Sequence, residues 1–262
     1  MSNDKPGGEP DVGGLGTLIS ACKASFGGLT AVTAACHGLL NALLIPPSPK
    51  PDWFDDLNSK LDAAKAQAQS WIDNIGPDVT AQVLVQVINH GTTFSVIASQ
   101  IGSIAAAHPD ARGADDPSVQ GVLVLAGSLD QSLQAIVAAL ETRLATLETW
   151  EETMLARDVA LRAAADKSPD AKAAAAPALA AAEGVLNSIG DALKHLRELI
   201  GIWGKLRNAM RDALAELGAG KVTLGTFAAN NFSAAAQAEW AAATQFAQNL
   251  VNAPIGNPGR AA

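Results

Sequence analysis

The chain has 262 residues, of which 48% are hydrophobic and only 4% aromatic, with no tyrosine and a net charge of −8. That length allows one large domain or two small ones, and abundant alanine beside few runs of Val, Ile, Thr or aromatics selects an all-α fold. Lysine and arginine form no cluster, which argues against a nucleic-acid surface and against adhesion to anionic lipid by charge alone.

Residues 1–14 are polar, contain Pro6, Pro10 and paired glycines, and read as a flexible N-terminus. They lack the basic start and short apolar run of a signal peptide, so the chain either stays in the cytosol or leaves by a route the sequence does not show. An apolar helix is predicted over 15–45, and its part from Ala24 to Ile45 holds 22 residues without a formal charge. At 1.5 Å per residue that stretch is about 33 Å long, close to the thickness of a bilayer's hydrocarbon. A polar stripe of Lys23, Thr30, Thr33, His37 and Asn41 runs along it at helical spacing. The apolar remainder, Phe26, Leu29, Val32, Leu39, Leu40, Leu43 and Leu44, supplies the candidate membrane-inserting side chains. Two fates fit such a helix, burial inside a soluble bundle or a span lining a pore. Cys22 and Cys36 lie 14 residues apart on it. They are thus roughly 21 Å apart along the axis, too far to pair, and read as two small buried thiols.

The proline-rich run Ile45 to Pro51 closes this helix, and Asp52 caps a second one over 52–107 with Asp55 and Asp56 in its first turn. Its apolar face runs from Phe54 through Leu57, Leu61, Trp71, Val79, Val87, His90, Phe94 and Ile101 to Ile104, with a kink expected at Gly76-Pro77. After a polar turn, His108 to Pro117, a third helix is predicted over 118–163. It shows an eleven-residue repeat, Val122, Leu133, Leu144 and Leu155 with Leu125, Ile136 and Leu147 beside them. A tip is expected over 163–178, where Pro169 and Pro177 interrupt an Ala, Lys and Asp segment. A fourth helix, 179–217, follows heptads: Leu179, Leu186, Leu193 and Ile200 in one row, Ile189, Leu196, Trp203, Met210 and Leu217 in the other. A small-residue helix over 226–251 and a flexible tail, 253–262, complete the chain. Together these segments predict one elongated antiparallel bundle of long helices over 15–252.

The residues offer no catalytic chemistry. His37, His90, His108 and His195 fall on different elements with no ligand at metal spacing, so no metal and no cofactor is expected. Asp55-Asp56 and Glu151-Glu152 are adjacent in sequence and diverge on a helix. The glycine pairs lack a phosphate-binding lysine and hydroxyl, and no nucleophile stands near a base. The expectation is a non-enzyme without a small-molecule substrate.

One stretch of the second helix is more specific. It reads Ala68-Gln69-Ser70-Trp71-Ile72-Asp73-Asn74-Ile75-Gly76-Pro77 and then Asn89-His90-Gly91-Thr92-Thr93-Phe94. It resembles the haemolysin BL and non-haemolytic enterotoxin family of α-helical pore-forming toxins, relatives of cytolysin A, in which A-x-x-W-hydrophobic-D-x-hydrophobic-x-P precedes an asparagine and an aromatic-x-T-x-F-like element. The matching positions are Ala68, Trp71, Asp73, Pro77, Asn89 and Phe94, with Trp203 matching a late-helix tryptophan. The correspondence covers about Leu15 to Leu217, and residues 67–94 carry its specificity. The resemblance implies a secreted, initially soluble bundle that binds a lipid membrane, rearranges, and assembles with homologous helical toxin subunits. In one respect the chain departs from the pattern. Family members insert a hydrophobic tongue where this chain has the charged, alanine-rich segment from Asp158 to Ala180, which leaves the N-terminal helix as the expected inserting element. The alternative is a non-lytic scaffold that uses the same bundle to bind other helical chains.

Overall fold

Alanine-rich, proline-punctuated sequence gives helices that stop where proline or a side-chain cap stops them. The computed structural model describes residues 13–251. The expected tail, 253–262, and the expected flexible N-terminus, 1–14, except for Gly13 and Gly14, lie outside the described residues. Among the described residues the regular elements are all helical. They are α1 (Gly13–Leu40), α2 (Trp53–Ser70), a π-helical turn (Trp71–Ile75), α3 (Gly76–Ala107), α4 (Pro117–Ala165), α5 (Pro169–Gly218), α6 (Leu224–Asn231) and α7 (Ala234–Val251).

Several boundaries differ from expectation, each for a local reason. α1 ends at Leu40 and not at Ile45. The backbone closes with a tight bond from Ala42 N–H to Leu39 O, and the residues ahead of Pro46 are pushed out of the helical region. The tip expected over 163–178 shrinks to the turn Asp166–Ser168. Ser168 Oγ accepts the Ala171 N–H at 3.0 Å, and Pro169 occupies the first helical position, where its missing N–H costs nothing, so α5 starts ten residues before the expected 179. Pro177 is absorbed inside that helix. The C-terminal helix expected over 226–251 is two helices, broken at Phe232, and Ser233 Oγ caps the second through the Ala236 N–H at 3.3 Å. The kink expected at Gly76-Pro77 takes the form of the π-helical turn just before it.

The chain forms two compact units. One contains Lys23–Ala81 and Leu140–Glu198, here the proline-loop unit. Its four helical segments run antiparallel. Ser25 Oγ donates to His195 O at 3.0 Å, Trp150 Nε1 donates to Gln67 O at 3.2 Å, and ion pairs join Arg143 to Asp78 at 2.9 Å and Arg197 to Glu148 at 2.7 Å. α1 and α5 approach so closely that a Cβ on Gly28 would lie 3.1 Å from the Cα of Ala192. The other unit contains Gln82–Ala139 and Leu199 onward, with residues up to Cys22, and is here the aromatic unit. It holds α6 and α7 and the loop 108–116.

The buried residues follow a seven-residue repeat in α4 and α5. In α4 they are Val119, Val122, Ala126, Leu129, Leu133, Ile136 and Leu140, then Leu147, Trp150 and Met154. The expected eleven-residue row drifts off this seam, and Leu155 is 51% exposed, because 3.67 and 3.5 residues per turn part company over three repeats. In α5 the expected row is buried at Ile189, Leu196, Trp203 and Leu217 and half-buried at Met210. Alanines 178, 182 and 192 complete its seam, while Leu179 and Leu186 are half-buried beside it.

Candidate functional site

In α1 the residues fully removed from solvent are Leu18, Cys22, Ser25, Leu29, Val32, Cys36 and Leu39, a heptad stripe one residue wide. The other residues from Gly16 to Leu40 are half-buried or exposed. Of the predicted membrane-inserting side chains, Leu29, Val32 and Leu39 sit in the stripe, and Phe26 and Leu40 flank it half-buried. Leu44 is half-buried and Leu43 is 73% exposed, both in the loop that follows the helix, with Ile45 81% exposed beside them. The stretch Gly16–Leu40 has a mean hydropathy of 1.3, yet only 28% of its apolar window is buried. The polar stripe of Lys23, Thr30, His37 and Asn41 faces solvent. Thr33, half-buried, turns inward and accepts a hydrogen bond from Trp71 Nε1 at 3.0 Å.

Both cysteines lie in the stripe, and burial pushes each thiol up to about 12, so they are inert packing groups. Ser25 joins the stripe because its hydroxyl is satisfied by the His195 carbonyl. Sequence reading took the polar stripe and the large apolar residues as the two faces of α1. The true seam, made partly of cysteine and serine, carries no hydropathy signal, and its seven-residue spacing is the only clue.

The motif residues divide between the two units. In the proline-loop unit Ala68 and Trp71 are buried, Trp71 stacks obliquely on Trp150 at 5.1 Å, and Asp73 and Pro77 are exposed. Asp73 accepts a bond from Gln69 Nε2 at 2.8 Å. Gly76 is essential to this arrangement, since a Cβ there would lie 2.8 Å from Trp71 Nε1. In the aromatic unit Asn89 is exposed, whereas Phe94 and Trp203 enter a cluster that sequence reading did not assemble. Trp240 of α7 is its hub, 5.8 Å from Trp203, 5.7 Å from Phe94 and 4.7 Å from His90. His90 is 2% exposed, with Nδ1 3.2 Å from Ser132 Oγ, and burial holds its pKa down at about 4. Among the described residues no three of His, Cys, Asp and Glu converge as a metal-binding set.

The solved structures similar in fold to this chain include components of tripartite α-pore-forming toxins and a cytotoxin. MakB, a cytotoxin from Vibrio cholerae, matches with a TM-score of 0.64 at 12% identity, over 93% of this chain and 93% of that one. Soluble SmhB of the tripartite toxin Smh from Serratia marcescens matches at 0.57 and 9% identity, over 90% of each chain. The AhlB pore of the tripartite toxin AHL from Aeromonas hydrophila matches at 0.56 and 10% identity, over 92% of this chain and 98% of that one. No protein-family model matches the sequence, and no curated protein matches it.

Proposed function

We propose that this chain is a component of an α-helical pore-forming toxin. It is a secreted, soluble bundle that binds a lipid membrane, rearranges, and oligomerises with homologous helical subunits, with α1 as its inserting helix. The observation that carries this reading is the mismatch in α1, a helix of membrane-spanning length and apolar composition held by a single heptad stripe. Its large stripe residues, Leu18, Leu29, Val32 and Leu39, contribute roughly 6–12 kcal/mol of apolar burial in the bundle, and hydrocarbon returns that contribution after insertion. The exchange is nearly neutral, so contact with lipid or a partner chain decides it, and the transition needs no catalysis, cofactor, nucleic acid or small-molecule substrate. The polar contacts released include Ser25 to His195 and Trp71 to Thr33. The π-helical turn that carries Trp71 is the natural point of release, since π turns already lack regular helical hydrogen bonding.

Ala31→Asp tests the proposal. Ala31 is exposed on α1 about a quarter-turn away from the polar stripe, so the soluble fold tolerates the change, whereas a carboxylate there, in the apolar span, opposes insertion by about 2.5–3.5 kcal/mol. Dye release from liposomes, by the chain alone and with homologous helical partners, should fall on the order of 100-fold with helicity unchanged. Release equal to that of the parent chain would refute α1 as the inserting helix, and no release by the parent under any combination would favour the scaffold.

A further inference from the structure

Charge is distributed very unevenly along α4. Its 24 residues from Pro117 to Leu140 carry one formal charge, Asp130, while the next 25, Glu141 to Ala165, carry eight. The charge-poor half belongs to the aromatic unit, with its partner in the hairpin, α3 from Gln82 to Ala107, which carries no formal charge at all. Every Lys, Arg, Asp and Glu between these two stretches sits in the loop 108–116, as Asp110, Arg112, Asp115 and Asp116.

Burial does not explain this. α4 has a mean hydropathy of 1.5 in its most apolar window, and 28% of that window is buried, whereas the core helix of a soluble protein is mostly covered. The outer face of α3 shows Asn89, Thr92, Thr93, Val96, Ser99 and Ser103 to solvent, and that of α4 shows Gln120, Val124, Ser128 and Gln131. Val96 is 56% and Val124 74% exposed. Water-facing helices ordinarily carry charge on about a quarter or more of such positions. The hydroxyls on this face are also turned back onto their own helices. Thr92, Thr93, Ser99 and Ser103 each donate to the carbonyl four residues earlier at 2.8–3.1 Å, and Ser128 donates to Leu125 O at 2.6 Å. A face whose donors are satisfied internally loses little on leaving water.

We propose that the α3–α4 hairpin of the aromatic unit, residues 82–139, is a second bilayer-entering element, and that the occupant of its uncharged outer face is lipid hydrocarbon. The inference rests on the pore-forming reading and adds to α1 a second inserting segment. At 1.5 Å per residue the two arms are about 39 and 35 Å long, enough to cross about 30 Å of hydrocarbon. The hairpin stays together in lipid through its own bond between His90 and Ser132. Both arms turn this face to acyl chains, α4 through its Val and Leu positions and α3 through Val96 and hydroxyls already bonded to their own backbone. Release breaks three backbone bonds that hold the loop: Ala114 N–H to Gly218 O, Leu224 N–H to Ala111 O and Gly225 N–H to Pro109 O, at 2.9–3.0 Å. It also breaks the pair between Asp130 and Arg207 at 3.2 Å.

The test attaches an environment-sensitive fluorophore to Val96→Cys, to Val124→Cys and, as a reference in α1, to Ala31→Cys, in the full chain. All three sites are exposed, and the native thiols, buried and held at about 12, stay unlabelled at neutral pH. Phosphatidylcholine vesicles with and without nitroxide-bearing acyl chains are then added, with the chain alone and with homologous helical partners. Entry of the hairpin predicts a blue shift and at least two-fold quenching by the acyl-chain nitroxide at residues 96 and 124, and at least ten-fold less dye release for Val124→Asp. Quenching at residue 31 alone would overturn the hairpin and leave the pore-forming reading standing. Quenching at none of the three would overturn both. Shielding of residues 96 and 124 from aqueous iodide without nitroxide quenching would mean that protein covers the face, and would also overturn the proposal.

Discussion

Acidification acts on one buried group whose environment fixes both sign and size. His90 lies against Trp240 at 4.7 Å and Trp203 at 5.6 Å, with Ser132 Oγ as its hydrogen-bond partner and no charged group among these contacts. Charges on the elements packed against it fall nearby in sequence: Asp130 on α4, paired with Arg207 of α5, then Lys205 on α5 and Glu239 on α7. Burial lowers the folded-state pKa from 6.5 to about 4, so the unfolded chain takes up this proton first as pH falls. The resulting stabilisation is fully present above pH 6.5 and is lost progressively as pH falls towards 4. A shift of this size corresponds to about 2 kcal/mol lost between pH 7 and 5, and about 3 kcal/mol by pH 4. Urea unfolding followed by tryptophan fluorescence at pH 7, 5.5 and 4.5 measures it, with His90→Phe as the control that keeps the aromatic packing and removes the titration. The parent should lose stability more steeply than the variant over this range, by most of those amounts, since the carboxylates titrate alike in both. Parallel pH profiles for the two chains would refute the assignment.

Two further outcomes follow from close packing. Gly76→Ala puts a methyl 2.8 Å from Trp71 Nε1, so the indole must move and give up Thr33. The expected cost is about 1–3 kcal/mol in the urea midpoint, and an unchanged midpoint would show that the turn relaxes freely. Cys22 and Cys36, both held at about 12 by burial, should resist a maleimide at pH 7.5 for as long as the chain is folded and react completely in denaturant. Rapid labelling of the folded chain would show that α1 detaches in solution.

The apolar face of the second helix was legible almost residue by residue. Phe54, Leu57, Leu61, Trp71, Val79, Val87, His90, Phe94 and Ile101 are all buried, because large side chains at helical spacing leave only one face to bury. Where the seam is built of small residues the pattern fades. Ala178, Ala182 and Ala192 of α5 pack tightly, yet alanine is equally common on exposed faces, so the larger Leu179 and Leu186 drew the prediction one position aside. Proline misled twice in the opposite sense: Pro169 looked like a break and starts a helix, and Pro177 looked like a break and is carried within one.

For the candidate site, the length and apolarity of α1 were visible in sequence, and its mode of attachment was not. Beside Leu18, Leu29, Val32 and Leu39 its seam contains Cys22, Cys36 and Ser25, and Ser25 and the flanking Thr33 are fixed by hydrogen bonds with α5 and Trp71, partners far away in the sequence. The charge-poor arms of the hairpin show the converse. Their signal lies in what is missing, and a missing charge becomes informative only when exposure is known, since α3 read as an amphipathic core helix is unremarkable until its outer face proves to be open. The same logic separates α1 and the hairpin from α5. α5 in the aromatic unit carries Lys205, Arg207, Arg211, Asp212 and Glu216, so under the proposed insertion it is the segment suited to remain in water.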